Sequence, residues 1–326
     1  MLDVEAALAW AQGEVGNIPR KDAEKIVAMA SVKHVRLSRV KEIEREIKHD
    51  VAALVRALAE ASGASGAYVH LGATSSDVKD TATALQLKDA LELIGRRLNE
   101  LQETLRQKAL QFKAPTTIGM PASVPTALTF KFRAWTQEIS RHIERLRECK
   151  DRILVGKMSG AVGTQAGLGV HALKIQKLVM KRLGIKAADI STQIVQRDRH
   201  AELVCLLAIV AASLEKFATV IHELQRPENG EFFETRKQVS GSRMPHEEKS
   251  EMCERICGLA RIVRSLVLPA LENVTTWHER DLTQSSAERF IIPQTCILVD
   301  YMLFLITNVV TDLQVDDEFR SKNRLY

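Results

Sequence analysis

Apolar residues recur three and four positions apart along most of the chain, the spacing that lines one face of an α-helix. Leu2 to Gln12 carries this period and runs into a Gly13–Pro19 turn, and a second helix is predicted from about Lys21 to Ser31. The period continues from Lys33 to Ala61 and breaks at Gly63 and Gly66. Tyr68 to Asp77 is rich in Gly, Ser and Thr and reads as a loop feeding a helix. Ser76 or Asp77 is the expected N-cap of a long helix over about Val78–Gln111. Ala114–Pro125 contains three prolines and reads as loop, because proline lacks an amide donor and restricts the residue before it. A second long helix is expected over about Thr126–Leu154, followed by Lys157–Gly169 with its four glycines. Val170–Leu183, about His200–Leu224, Met252–Leu271 and Pro293–Thr311 read as further helices. Strand alternation and short internal repeats are not visible, so the predicted fold class is all-α.

Helices of about 30 residues are about 45 Å long, more than a compact single domain of this size needs. Long helices with apolar stripes imply a bundle whose outer faces pack against other subunits. Composition agrees: 45% of the 326 residues are hydrophobic but only 5% aromatic, and Gly (16) and Pro (8) are sparse. The most apolar run, Leu203–Leu214, falls short of the roughly 18 residues that suggest a membrane span, so it reads as a buried core helix. No basic segment followed by an apolar run opens the chain, so no secretory signal is expected and the predicted location is cytoplasmic, with no membrane partner. The five cysteines (Cys149, Cys205, Cys253, Cys257, Cys296) lack metal-site spacing and read as reduced thiols, with no metal expected.

A net charge of +5 is small against 46 basic and 41 acidic residues, which are interspersed as on solvated helix faces. No basic run is interleaved with aromatics, so nucleic acid is not an expected partner. The mild excess suits an anionic small molecule.

In a helical protein the chemistry falls in the polar interruptions. His49-Asp50 and the His70–Asp77 segment offer imidazoles, and Thr74, Ser75 and Ser76 offer hydroxyls and amides at a helix start, a place for a carboxylate. Taken alone, each histidine also reads as an ordinary core or surface residue. Thr192–His200 is dense in amide and guanidinium donors, and reads equally as a solvated turn. Ser240–His246 is a small-residue stretch that suits either a functional loop or a linker. Trp277–Arg289 places Arg280, Ser285 and Arg289 where they can clamp a phosphate, or form a charged inter-helix loop.

Four blocks then occur in order: His-Leu-Gly-Ala-Thr-Ser-Ser-Asp at 70–77, Lys-Met-Ser-Gly-Ala-Val-Gly-Thr-Gln at 157–165, Thr-Gln-Ile-Val-Gln-Arg-Asp-Arg-His at 192–200, and Trp-His-Glu-Arg-Asp-Leu-Thr-Gln-Ser-Ser-Ala-Glu-Arg at 277–289. In order and spacing they resemble the adenylosuccinate lyase family of the fumarase/aspartase superfamily, over nearly the whole chain. The resemblance implies a long-helix bundle assembling through a central multi-helix bundle into a homotetramer, with each active site shared by three chains. It implies release of fumarate from adenylosuccinate, giving AMP, and from the succinyl-carboxamide intermediate of purine synthesis, with no metal or organic cofactor. By matching positions, His49 and His70 are the implied acid-side and substrate-contacting histidines. Thr74 and Ser75 fall at the succinyl carboxylate site, Gln193 at a substrate-binding glutamine, and Arg280, Ser285 and Arg289 at the nucleotide phosphate site. The expected division is an N-terminal helical region at 1–77 and a central bundle at 78–326, with the third helical domain of the family absent.

Some positions depart from the family pattern. Thr117–Pro125 has no histidine where the family has its second catalytic one. In the loop holding the base, Gly241 falls at the first serine and Ser242 at the second, so Ser242 is the candidate base; Glu247, Lys249 and Ser250 replace a lysine, an asparagine and a proline. A carboxylate at 247 opposes the developing negative charge of an elimination. Loss of one positioned acid or base costs about 10²–10⁴ in rate. The alternative expectation is therefore a catalytically impaired paralogue or fragment serving as a structural or nucleotide-binding subunit. The chain also opens within the family's first long helix and stops about where its third domain should begin.

Overall fold

A computed structural model describes residues 1–112, 116–119, 124–225, 232–234 and 251–315. Helices dominate it: α1 (Leu2–Val15), α2 (Arg20–Met29), α3 (Leu37–Ile47), α4 (Asp50–Ser62), α5 (Ser75–Gln111), α6 (Leu128–Ile153), α7 (Ala172–Leu183), α8 (Asp198–Leu224), α9 (Glu251–Ser265), α10 (Val267–Glu272) and α11 (Thr283–Asp312). Short 3₁₀ turns cover Gly63–Tyr68 and Ala166–His171. The strands are short two-stranded pairs. β1 (Thr116–Gly119) is antiparallel to β2 (Val124–Ala127), β3 (Val155–Gly156) is parallel to β4 (Lys186–Ala187), and β5 (Phe232–Glu234) is antiparallel to β6 (Leu313–Val315). The fold is all-α in class.

Local chemistry explains where helices stop. Gly16 closes α1 in the left-handed region, its N–H reaching the carbonyls of Gln12 and Gly13, and Gly184 closes α7 in the same way. The continuous helix expected over Lys33–Ala61 is two. Lys48 turns left-handed at φ 55°, and His49 then caps α4 by accepting the Ala52 N–H at its ring nitrogen. The helix expected to begin near Pro293 begins at Thr283, and Pro293 lies inside it on an exposed face, where water can replace the missing hydrogen bond. Met252–Leu271 likewise divides, with a break at Leu266 between α9 and α10.

The chain forms two compact units. The first comprises Met1–Asp89, Asp151–Arg199 and Val274–Gln284, and the second Ala90–Lys150, His200–Asn273 and Ser285–Tyr326. In the first, Val4, Leu8, Val51, Val78, Met158, Ile175 and Val179 share one buried cluster, and Ile26, Ile43, Leu54 and Leu58 share another. In the second, the Phe132 ring is tilted against Trp135 at a centroid distance of 5.2 Å, and Trp135 stacks on Phe217 at 4.7 Å. Among the described residues, two helices, α8 and α11, are long and apolar enough to cross a membrane by length and composition. Most of the apolar side chains of α8 are buried within the protein, as expected from Leu203–Leu214.

Candidate active site

The first two turns of α5 hold the polar segments of the first unit together. Thr74 precedes the helix, two residues before the earlier of the expected caps, and Asp77, three residues on, accepts the Thr74 backbone N–H at 2.8 Å, the back-reaching half of a capping box. Asp77 is fully buried. Its carboxylate also takes Lys157 Nζ at 2.5 Å, the Ser159 N–H at 2.9 Å and the Gly160 N–H at 3.1 Å. One turn later Asp80 accepts the Val195 N–H at 2.7 Å and both terminal nitrogens of Arg197, at 2.9 and 3.0 Å. Thr81 beside it bonds the backbone of Lys157 in both directions at 3.1 Å. Residues 77, 80 and 81 lie on one helix face, so a single turn-and-a-half of α5 fixes both the 157–160 and the 195–197 segments.

From there the network reaches two of the sequence candidates. Ser159 Oγ meets Ser191 Oγ at 2.9 Å, and Gly163 packs so closely on the Ser191 carbonyl that a Cβ would stand 2.2 Å from it. Two residues on, Gln193 Oε1 accepts Arg280 Nη1 at 3.1 Å, uniting residues 87 positions apart. Arg280 Nε is buried without a partner, so its fork is only partly used by the protein.

His70 is held from the other side. Its backbone is left-handed, φ 63°, and its Nδ1 lies 2.6 Å from Glu5 Oε1. Burial is the largest single influence on this imidazole and works to lower its pKa. The Glu5 hydrogen bond and the charges of Glu5 and Asp77 outweigh it, so the net shift is upward. Gly72 in the same turn faces Gly167, where a Cβ would come within 2.2 Å of the Gly167 carbonyl oxygen.

His49 Nδ1 accepts the Ala52 backbone N–H at 3.2 Å and lies 3.6 Å from Asp50 Oδ1, beyond hydrogen-bond range. Asp50 pairs with Lys79 at 2.8 Å. The His49 side chain is half exposed.

Thr74 and Ser75 are half-buried at the start of α5, where N–H groups and the helix dipole favour an anion. Ser285 and Arg289 fall in the first turns of α11 and belong to the second unit, where His200 Nδ1 and Glu288 Oε1 meet at 2.9 Å. Ser242 and the altered positions Gly241, Glu247, Lys249 and Ser250 lie outside the described residues. Among the described residues, no group of three or more His, Cys, Asp or Glu side chains is placed to hold a metal ion.

Sequence reading missed Glu5, the Lys157–Asp77 pair and the Asp80–Arg197 pair. Glu5 had a signal. With Gln12 it sits seven residues apart on the buried face of α1, polar where the helical period calls for apolar.

Comparison with known proteins identifies the relatives of this chain. A family model described as Lyase matches residues 2–264. Adenylosuccinate lyase of Pyrococcus horikoshii is 50% identical over 99% of this chain and 73% of its own length. The enzyme of that name from Methanocaldococcus jannaschii is 45% identical over 99% of this chain and 71% of its own. Among solved structures, a fumarate lyase from Mesorhizobium sp. BNC1 superimposes with a TM-score of 0.90 at 30% identity, covering 99% of this chain and 74% of that one. The chain thus spans about three quarters of the length of the relatives it matches.

Proposed function

The chain belongs to the adenylosuccinate lyase family, and from that membership we infer that it cleaves adenylosuccinate to AMP and fumarate and acts in purine nucleotide synthesis. The observation that carries this reading is identity of 45–50% to enzymes of that name over 99% of the chain. The succinyl-carboxamide ribotide, which bears the same succinyl group on nitrogen, is the second substrate. Nothing in the comparisons favours the non-catalytic alternative.

The reaction removes a proton beside a carboxylate and protonates the nitrogen that leaves, so the site must hold dianionic substrate while charge builds on carbon. We assign the succinyl carboxylate to the start of α5, at Thr74 and Ser75. What supports this is that Lys157 neutralises Asp77, so the helix end keeps its affinity for an external anion. His70, with its raised pKa, stands four residues before Thr74 and suits either a proton donor or a charged contact to that carboxylate. Gln193 as a substrate-binding group and Arg280 at the phosphate form the other side, supported by their contact and by the Arg280 Nε that no protein group takes. The roles of Ser285 and Arg289 on the phosphate, of His49 on the leaving nitrogen and of Ser242 as base rest on the family resemblance. No cofactor enters this chemistry.

We further propose a cytoplasmic homotetramer. Phe290, Ile297, Tyr301 and Phe304 are exposed on α11 at spacings of seven, four and three, one continuous apolar stripe of the kind that packs into a helix bundle.

The test is fumarate release from adenylosuccinate by the purified chain, followed by ultraviolet absorbance, with Ser242→Ala alongside. Turnover that Ser242→Ala abolishes is the expected result. No turnover by the folded, assembled chain would overturn the assignment.

A further inference from the structure

Helix α1 buries two polar side chains, Glu5 and Gln12, at 1% and 2% exposure, amid Val4, Ala7, Leu8 and Ala11. Both reach the same turn. Glu5 Oε1 meets His70 Nδ1 at 2.6 Å, and Gln12 Nε2 donates to the Leu71 carbonyl at 2.6 Å. Gln12 is itself oriented by Asn17, whose Nδ2 donates to Gln12 Oε1 at 3.2 Å and to the Leu168 carbonyl at 3.1 Å. The turn they hold contains two left-handed residues, His70 at φ 63° and Gly72 at φ 72°. For a histidine that conformation is disfavoured and persists only where the surroundings impose it. A buried carboxylate is also disfavoured, and the second oxygen of Glu5, Oε2, has no hydrogen-bond partner. Two local costs at one contact, with a helix face given over to them, indicate a contact kept for chemistry.

We propose that Glu5 is a positioning residue for the elimination: its buried carboxylate fixes the His70 ring with the proton on Nδ1 and leaves Nε2 for the substrate. The inference rests on the lyase reading of this site. A carboxylate can only accept, so the nitrogen facing it must carry hydrogen. The charged groups around the imidazole are Glu5 from α1 and Asp77 from α5, the latter paired with Lys157. Both carboxylates favour the protonated ring. Glu5 thus does two things that packing alone does not: it selects a tautomer and it raises the proton affinity of the ring.

The experiment uses the full chain and three forms, wild type, Glu5→Gln and Glu5→Asp. Nitrogen-15 resonances of His70, assigned with a His70→Gln control, report tautomer and titration without turnover. The pH profile of fumarate release reports the same group in action. In Glu5→Gln the His70 titration is expected to move to lower pH, with the matching limb of the profile moving the same way. The value of kcat/KM should fall about 10- to 100-fold, as for loss of a group that orients a functional histidine. Glu5→Asp should restore part of the titration shift and part of the rate. Unmoved His70 resonances in a folded Glu5→Gln chain would overturn the proposal whatever the activity. A lower rate with both titration and pH limb unmoved would also overturn it, reducing Glu5 to a packing residue. A wild-type chain without fumarate release would defeat the lyase reading alone, because the resonances test the pair independently of turnover.

Discussion

Lys157 Nζ donates to Asp77 Oδ1 at 2.5 Å, and neither side chain is exposed to solvent. The pair sits where the 157–160 segment meets the first turn of α5, so it joins local folding to the proposed carboxylate site. The carboxylate is well satisfied, taking three backbone N–H groups besides the ammonium. Removing the lysine leaves those bonds but strands a charge away from water. Breaking a buried pair by deleting one partner costs about 3–5 kcal/mol. Lys157→Met is therefore expected to lower the unfolding free energy by about that amount in urea titrations. A loss below about 1 kcal/mol would mean that the backbone donors alone suffice for Asp77.

Gly72 carries a second structural prediction. A Cβ there would meet the Gly167 carbonyl oxygen at 2.2 Å, a backbone atom that cannot swing aside, and φ is +72°. Gly16 has a similar φ of +80° with open space around it. Alanine at 16 should cost about 1–2 kcal/mol, the left-handed penalty. Alanine at 72 should cost more and also weaken substrate binding, because the His70–Thr74 turn must shift. Equal melting temperatures for Gly72→Ala and Gly16→Ala would refute the close approach.

Much of this was legible in the sequence, for physical reasons that differ from residue to residue. Helical periodicity located α1, α2, α5, α6, α7 and α8, because each buries one face and the apolar stripe follows. The break between α3 and α4 was hidden: it depends on a lysine in the left-handed region, and Lys48 carries no turn signature. Pro293 misled by its usual meaning as a helix opener, whereas α11 tolerates it on an exposed face. The polar interruptions identified Thr74, Gln193 and Arg280 as chemically rich. That Gln193 and Arg280 touch could not be read, since nothing local relates residues so far apart in sequence. Lys157 with Asp77 is the same case, a pair made by tertiary packing. Glu5 stood between these limits, visible as a charge in an apolar phase but silent about its partner.

Arg280 is testable through binding. Its Nη1 is engaged by Gln193, its Nε is buried without a partner, and it is proposed to meet the nucleotide phosphate. A guanidinium gives forked donors that an ammonium cannot reproduce. Charge-assisted hydrogen bonds are worth about 1.5–3 kcal/mol, so Arg280→Lys is expected to weaken AMP binding about 10- to 100-fold by calorimetry. Stability should change by no more than about 0.5 kcal/mol, as for a partly exposed site away from the core. Undiminished AMP affinity in the variant would remove Arg280 from the phosphate site.

The acid limit of stability should be governed in part by one histidine far from this chemistry in sequence. His142 on α6 is buried, its Nε2 lies 2.9 Å from Ser213 Oγ, and Arg145 Nη1 lies 3.3 Å from its Nδ1. A guanidinium can only donate, so Nδ1 accepts, Nε2 carries the hydrogen, and the ring is neutral. Burial is the main reason that its pKa falls to about 4, and the Arg145, Arg141 and Lys216 charges add to it, while Glu138 opposes. An unfolded chain binds this proton near pH 6.5 and the folded one only near 4. Stability from this site is therefore complete above about pH 6.5 and is lost progressively as pH falls toward 4. At about 1.4 kcal/mol per pH unit, the whole contribution is roughly 3 kcal/mol. The sign at His70 is opposite: with a raised pKa, its contribution is complete below the unfolded pKa and fades as pH rises through the folded one. Glu103, held down at about 2 by Arg106 and Gln107, titrates below this window. His142→Gln keeps a donor for Ser213 and an acceptor for Arg145 but cannot take a proton. Urea unfolding at pH 7.5 and 4.5 should show a smaller pH loss for the variant than for wild type. Identical losses would mean that His142 is neutral in neither state, or that the folded protein opens to admit the proton, and the buried geometry on α6 would then be wrong.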